Sequence, residues 1–304
     1  MESFRVHILG CGSALPTLKH NPSSQVIEIR GKYFMVDCGE GTQTQLRRSK
    51  IKFTRINAVF ISHAHGDHCF GLIGMISTFG MLGRTAPLHV YAPSAFRKIM
   101  EMQMDFFCNG FEYDVVFHDI DTTVQKIIYE DRSLMVETVP LSHRVPCCGF
   151  IFREKPTLPH ILRDMADFYK VPVSQFNNIK NGTDWIDEEG NVVPYTRLTR
   201  PSGPVRSYAY CSDTRYIPSL YESLKDISVL YHESTYLSED ETMAQMYCHS
   251  TAAQAARVAA DAGVGTLVLG HYSARYDDEK KLLAEAKNVF SNSILSYEGL
   301  IIDV

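Results

Sequence analysis

The sequence predicts an α/β sandwich, in which two mixed β-sheets face each other and helices lie outside. Two observations predict it. Apolar runs of strand length alternate with stretches of helical periodicity twice over, and hairpin signals lie between them.

Residues 4–9 alternate as a strand does and end in the glycine turn Gly10-Cys11-Gly12-Ser13. Residues 24–29 and 32–36, joined by Arg30-Gly31, read as a hairpin. Asp37-Cys38-Gly39-Glu40-Gly41 closes its second strand, and 42–49 reads as a short helix. A buried strand over 58–61 precedes a histidine-rich loop, and 69–82 has helical spacing. Residues 88–91 form a strand, and Ser94 is expected to cap a helix to about Phe107 with Met100, Met102 and Met104 filling the core. Strands and turns occupy 115–137, and a further strand lies at 149–152. Later strands fall at 207–210, 229–231 and 266–269, with helices over 251–262 and 278–290. The first of these helices opens on a capping box, Thr251-Ala252-Ala253-Gln254.

Between them, residues 153–206 hold six of the thirteen prolines and the only tryptophan, Trp185, with weak periodicity apart from a short helix near 161–169. The chain is therefore expected to be one domain, 1–304, carrying an insertion at 153–206 that either protrudes or forms a long ordered loop.

At 304 residues, 45% hydrophobic and 21% charged, the composition is that of a globular protein with a sizeable core. A net charge of −5 excludes a global basic field, so a polyanionic substrate must be held by local patches or by metal charge. Eight scattered cysteines without a Cys-x-x-Cys pair fit a reduced, cytoplasmic setting better than a disulfide framework. The acidic N-terminus, its apolar stretch broken by His7, is not expected to be a signal peptide, and no apolar run is long enough for a membrane span.

The histidine loop is Ser62-His63-Ala64-His65-Gly66-Asp67-His68. A lone histidine is ordinarily a satisfied structural residue, but four potential ligands in six positions are a metal grip for Zn²⁺ or Mn²⁺. In extended geometry His63 and His65 point the same way and hold one ion, while Asp67 and His68 suit a second. Three more donors follow strand-like runs, namely His143, Asp213 and His271. Asp213 is a carboxylate able to bridge two ions.

These residues resemble the metallo-β-lactamase superfamily and, more narrowly, the ribonuclease Z family of tRNA 3′-processing endonucleases. Leu9-Gly10-Cys11-Gly12-Ser13-Ala14-Leu15-Pro16-Thr17, Asp37-Cys38-Gly39-Glu40-Gly41-Thr42, Ser142-His143-Arg144-Val145-Pro146, Ser212-Asp213-Thr214-Arg215, His232-Glu233-Ser234-Thr235 and His249-Ser250-Thr251 carry the likeness nearly end to end. The resemblance implies a four-layer αββα sandwich, two zinc ions (manganese being the alternative), a precursor-tRNA substrate and a homodimer. It makes the 153–206 insertion a flexible arm that grips tRNA. One ion would be held by His63, His65 and His143, the other by Asp67, His68 and His271, with Asp213 between them. Asp67 doubles as the base, and the resemblance supports His249 as the acid that protonates the leaving 3′-oxygen. Glu233 is expected to hold that imidazole. Ser250 and Thr251, at a helix start, and Lys19 and Asn21, on the Pro16 loop, are expected to touch substrate. The chain departs from the family at Val171-Pro172-Val173-Ser174-Gln175, where a glycine-proline-rich segment is usual, and at His20, where arginine is usual.

Two other readings compete. A superfamily hydrolase acting on a small phosphodiester, sulfate ester, thioester or lactone would share the metal loop without needing the arm. A binding module braced by metal would carry sulfur-rich, closed sites, unlike this oxygen- and nitrogen-rich set.

Overall fold

The computed structural model of the chain describes residues 2–304. It contains two compact units, the chain up to Arg153 together with Arg206–Val304, and Glu154–Val205.

Two seven-stranded mixed sheets build the larger unit. The first runs in spatial order Ile301–Asp303, Phe4–Gly10, Ser24–Ile29, Lys32–Cys38, Ile56–Phe60, Leu88–Pro93 and Val115–Ile120. It is antiparallel as far as Lys32–Cys38 and parallel beyond. The second runs Ser293–Leu295, Thr266–Gly270, Val229–Glu233, Ser207–Cys211, Cys148–Glu154, Leu134–Pro140 and Ile127–Glu130, its first four strands parallel.

Strand side chains alternate, which assigns the layers. Phe34 and Phe60 face the second sheet, with the Phe60 ring 5.5 Å from both Phe150 and Phe152. Their neighbours Met35 and Val59 point the other way, beneath the helices Thr42–Arg48, Gly71–Met81 and Ser94–Phe107. Helices Ala252–Ala262 and Lys280–Val289 cover the outer face of the second sheet. Burial on both faces is why the strands read as continuous apolar runs. The result is the expected sandwich, helix–sheet–sheet–helix.

Some boundaries differ from the sequence expectation. The strand before the histidines is Ile56–Phe60, and the 69–82 helix is two elements, a single turn Gly66–Cys69 and the helix Gly71–Met81. Ser94 is not a cap: Pro93 holds that position and no side chain caps the helix. Met100 is buried and Met104 partly so, but Met102 is 74% exposed. Two residues along a helix turn about 200°, so Met102 faces away from the core side that Met100 occupies. The helices Leu220–Ser223 and Glu241–Tyr247 and the strands Ser293–Leu295 and Ile301–Asp303 are too short to register as periodicity.

The smaller unit is not a structureless loop. Two strand pairs, His160–Ile161 with Thr199–Arg200 and Trp185–Ile186 with Val192–Val193, join short helices at Arg163–Phe168, Phe176–Lys180 and Tyr195–Leu198. Ala166, Val171, Ile179, Val193 and Leu198 form its own core.

Candidate metal centre

Parallel strands end at the same edge of their sheet, and the predicted ligands follow those ends. Ile56–Phe60 leads into His63–His68, Ser207–Cys211 into Asp213, and Thr266–Gly270 into His271. His143 follows Leu134–Pro140. All seven come together in two groups, His63, His65, His143 and Asp213, then Asp67, His68 and His271, with donor atoms inside each group within 4.8 Å. In the first, His65 Nδ1 lies 3.1 Å from His63 Nε2 and 3.3 Å from His143 Nε2. Asp213 turns one oxygen to each group. Its Oδ2 is 3.5 Å from His63 Nε2, and its Oδ1 is 3.2 and 3.0 Å from His68 and His271 Nε2. Asp67 Oδ2 is 3.5 and 3.6 Å from the same two histidines. The division has a backbone cause: His65 is still extended (φ −78°, ψ 149°), whereas the chain turns helical at Gly66 and swings Asp67 and His68 to the second group.

Asp37 is the residue that sequence reasoning left without a role. Its fully buried carboxylate accepts from His68 Nδ1 at 2.7 Å, from the Ser62 backbone N–H and hydroxyl at 2.8 and 2.9 Å, and from the Tyr210 hydroxyl at 2.7 Å. Because the Ser62 hydroxyl donates to Asp37, it accepts from His63 Nδ1 at 3.0 Å. Glu233 works the same way: it takes the Thr235 hydroxyl proton at 2.6 Å, leaving that oxygen to accept from His271 Nδ1 at 3.0 Å. His143 Nδ1 donates to the Cys248 carbonyl at 3.0 Å. Four histidines thus spend Nδ1 on the surrounding protein and turn Nε2 inward, the tautomer control that metal ligands require. The sequence signal for Asp37 was an acid closing the apolar run 34–36.

The donor set fits divalent metal. Bonds of about 2.0–2.2 Å to a tetrahedral ion set ligand separations of about 3.3–3.6 Å, and the separations above, 3.0–3.6 Å, lie in or just below that range. Electrostatics agree. Burial holds His63, His65 and His143 neutral, so their nitrogens carry free lone pairs. Burial opposes charge on His68 and His271 too, but the adjacent carboxylates prevail and raise both, His271 to about 10. Burial alone would raise Asp213 and Asp67, yet the surrounding imidazoles lower both. Three acids enclosed with these rings favour positive charge there, whether protons or a dication that displaces them. Strain is concentrated here as well. Of the eight non-glycine residues with left-handed φ among the described residues, Ala14, Asp37, Cys248 and His271 all lie at the centre, each at a cost of about 1–3 kcal/mol.

A cavity of about 600 Å³ opens onto both groups. His249 lines it, with Nδ1 donating to Glu233 Oε1 at 2.8 Å. Burial works to lower the His249 pKa, but the Glu233 charge and hydrogen bond outweigh it and the net shift is upward. The other expected contact residues are less free. Ser250 is fully buried and donates to the Thr214 carbonyl at 2.7 Å. The buried Thr251 hydroxyl accepts from the Gln254 N–H in the predicted capping box. Lys19 is ion-paired with Glu279, and the Asn21 N–H donates to Glu298 at 2.8 Å. Between them His20 bridges Glu298 (2.9 Å) and Glu279 (3.2 Å). The chain's 13–21 segment is therefore tied down at one end, while Ala14 N–H donates to Asp67 Oδ2 at 2.8 Å at the other.

A family profile described as anti-Pycsar protein Apyc1 matches residues 4–104, a third of the chain that includes His63–His68 but none of the later ligands. Relatives named ribonuclease Z match end to end. That of Bacteroides fragilis is 56% identical over 304 residues and that of Porphyromonas gingivalis 46%, each covering all of both chains. Among solved structures, human tRNase Z, short form, superposes with a TM-score of 0.72 at 23% identity over 99% of each chain, a likeness of fold.

Proposed function

The chain belongs to the ribonuclease Z family, and on that premise we propose that it is an endoribonuclease that removes 3′ trailers from precursor tRNA by hydrolysing one phosphodiester bond. The observation that carries this is the full-length likeness to ribonucleases Z together with a seven-donor centre beside a carboxylate-held imidazole. The 4–104 match spans only the first four ligands and selects no substrate.

Two divalent ions would be held, one by His63, His65 and His143 and one by Asp67, His68 and His271, and Asp213 turns one oxygen to each group of histidines. The predominance of imidazole favours zinc over manganese. Such ions, when bound, supply hydroxide at neutral pH and neutralise charge on the phosphate. The rest falls to the chain. Asp67, oriented by the Ala14 N–H, takes the proton of the attacking water. His249 gives a proton from Nε2 to the leaving 3′-oxygen, because Nδ1 is committed to Glu233. Glu233, itself fixed by the Thr214 N–H at 2.7 Å, keeps that imidazole charged and correctly turned.

Three further statements belong to the same proposal. The Glu154–Val205 unit is the tRNA-gripping arm, its six basic residues set among seven acids, with Arg153 and Arg206 at its borders. The chain forms a homodimer, supported by an exposed apolar stripe, Ile99, Met102 and Phe106, on the Ser94–Phe107 helix. It works in the cytoplasm, in keeping with eight unpaired cysteines. The test is cleavage of a trailer-bearing precursor tRNA by zinc-loaded protein and by His65→Ala. Wild-type cleavage that a chelator stops and the variant lacks is expected. Near wild-type cleavage by the variant, or none by either, refutes the reading.

A further inference from the structure

The catalytic cavity has exposed aromatic groups that neither the metal centre nor the core employs. Phe70 is 71% exposed, a large apolar side chain left in water although it directly follows the ligand-bearing turn Gly66–Cys69. Its ring rests on Gly66: a β-carbon there would stand 2.3 Å from the Phe70 ring. Glycine at that position lets the ring lie close against the metal loop and line the cavity. From a different element comes Tyr247, 38% exposed at the end of the helix Glu241–Tyr247, with the exposed Arg144 guanidinium over its ring at 6.0 Å. Arg144 adjoins the ligand His143, and Tyr247 stands two residues before His249; both line the same cavity.

We propose that these groups are two nucleobase platforms flanking the scissile phosphate, an inference that rests on the endoribonuclease reading above. Stacking on an aromatic or guanidinium face is how proteins hold single-stranded bases without reading their sequence. It suits an enzyme whose substrates share a cleavage position but differ in the bases around it. The assignment of sides follows from the chemistry. His249 protonates the departing 3′-oxygen, so the neighbouring Tyr247–Arg144 platform takes the base of the last retained nucleotide. Phe70, beside Asp67 and the attacking water, takes the first base of the trailer.

The test pairs variants with abasic substrates. Zinc-loaded wild type, Phe70→Leu and Tyr247→Leu are assayed on a precursor tRNA, on the same RNA lacking the first trailer base, and on the same RNA lacking the last retained base. Each variant should lose about 10-fold in kcat/KM on the intact RNA, the size of one lost stack. Phe70→Leu should show that loss on the RNA lacking the last retained base but less than about 2-fold on the one lacking the trailer base. Tyr247→Leu should show the reverse pattern, and Phe70→Tyr should keep the wild-type rate. Equal losses on all three RNAs, or no loss on any, overturn the platforms while wild-type cleavage leaves the enzyme reading standing. A wild-type protein that cleaves no precursor overturns both.

Discussion

The residues that could hold metal and those that aim them were not equally visible. The seven donors stood out because histidine and aspartate at strand ends are an uncommon placement. Asp37 was hidden, because one buried carboxylate gathering four hydrogen bonds from three elements is a fact of three dimensions. Asn has a single acceptor oxygen and turns an amide toward those donors. Asp37→Asn is therefore expected to weaken zinc affinity by about 10- to 100-fold in a chelator competition, with the fold retained. The Glu233–His249 pair makes a pH prediction. Glu233 overcomes burial and raises His249, so the acid form persists above the ordinary imidazole range and is lost only as pH rises through the raised value. Glu233→Gln removes the charge, burial prevails, and the alkaline limb of kcat/KM moves to lower pH. An unmoved limb contradicts Glu233 as the group that sets it.

Element type was readable wherever periodicity ran long enough, and failed where a backbone change was local. The turn Gly66–Cys69 is one such place: an extended reading accounts for His63 and His65, but the switch to helix is what gives Asp67 and His68 their own group. Just after the turn the chain packs closely, since a β-carbon on Gly71 would meet the Gly39 carbonyl at 2.2 Å. The helix Ala252–Ala262 shows the opposite case, its start written in Thr251 and Gln254 and built as written. The same hydroxyl was expected to touch substrate; here it is buried and accepts the Gln254 N–H. Thr251→Ala should thus cost about 1 kcal/mol of stability, lowering Tm by about 2–4 °C, with KM for precursor tRNA unchanged. A raised KM at unchanged Tm would restore the substrate role.

For the whole molecule, the difficulty posed by an acidic protein and a polyanionic substrate is resolved by location. Net charge is −5, yet the donor set can hold cations at one cavity, and six of the eight basic residues of 153–206 lie on a unit with its own core. The sandwich was legible because its strands are buried on both faces. The order within Glu154–Val205 was not, because two-residue strands and short helices leave no period to read. Deleting 156–203 is expected to abolish precursor-tRNA binding in a filter assay while sparing hydrolysis of a small chromogenic phosphodiester; equal loss of both would deny the unit a substrate role. The central claim, that the seven-donor centre cuts precursor tRNA at the end of its mature body, meets its most direct test in the product ends. Zinc-loaded protein is incubated with a trailer-bearing precursor and both fragments are sequenced. The account predicts one cut, leaving a 3′-hydroxyl on the tRNA and a 5′-phosphate on the trailer, absent with Asp67→Ala. Cuts scattered along the RNA, a 2′,3′-cyclic phosphate end, or an unchanged pattern with Asp67→Ala would contradict it.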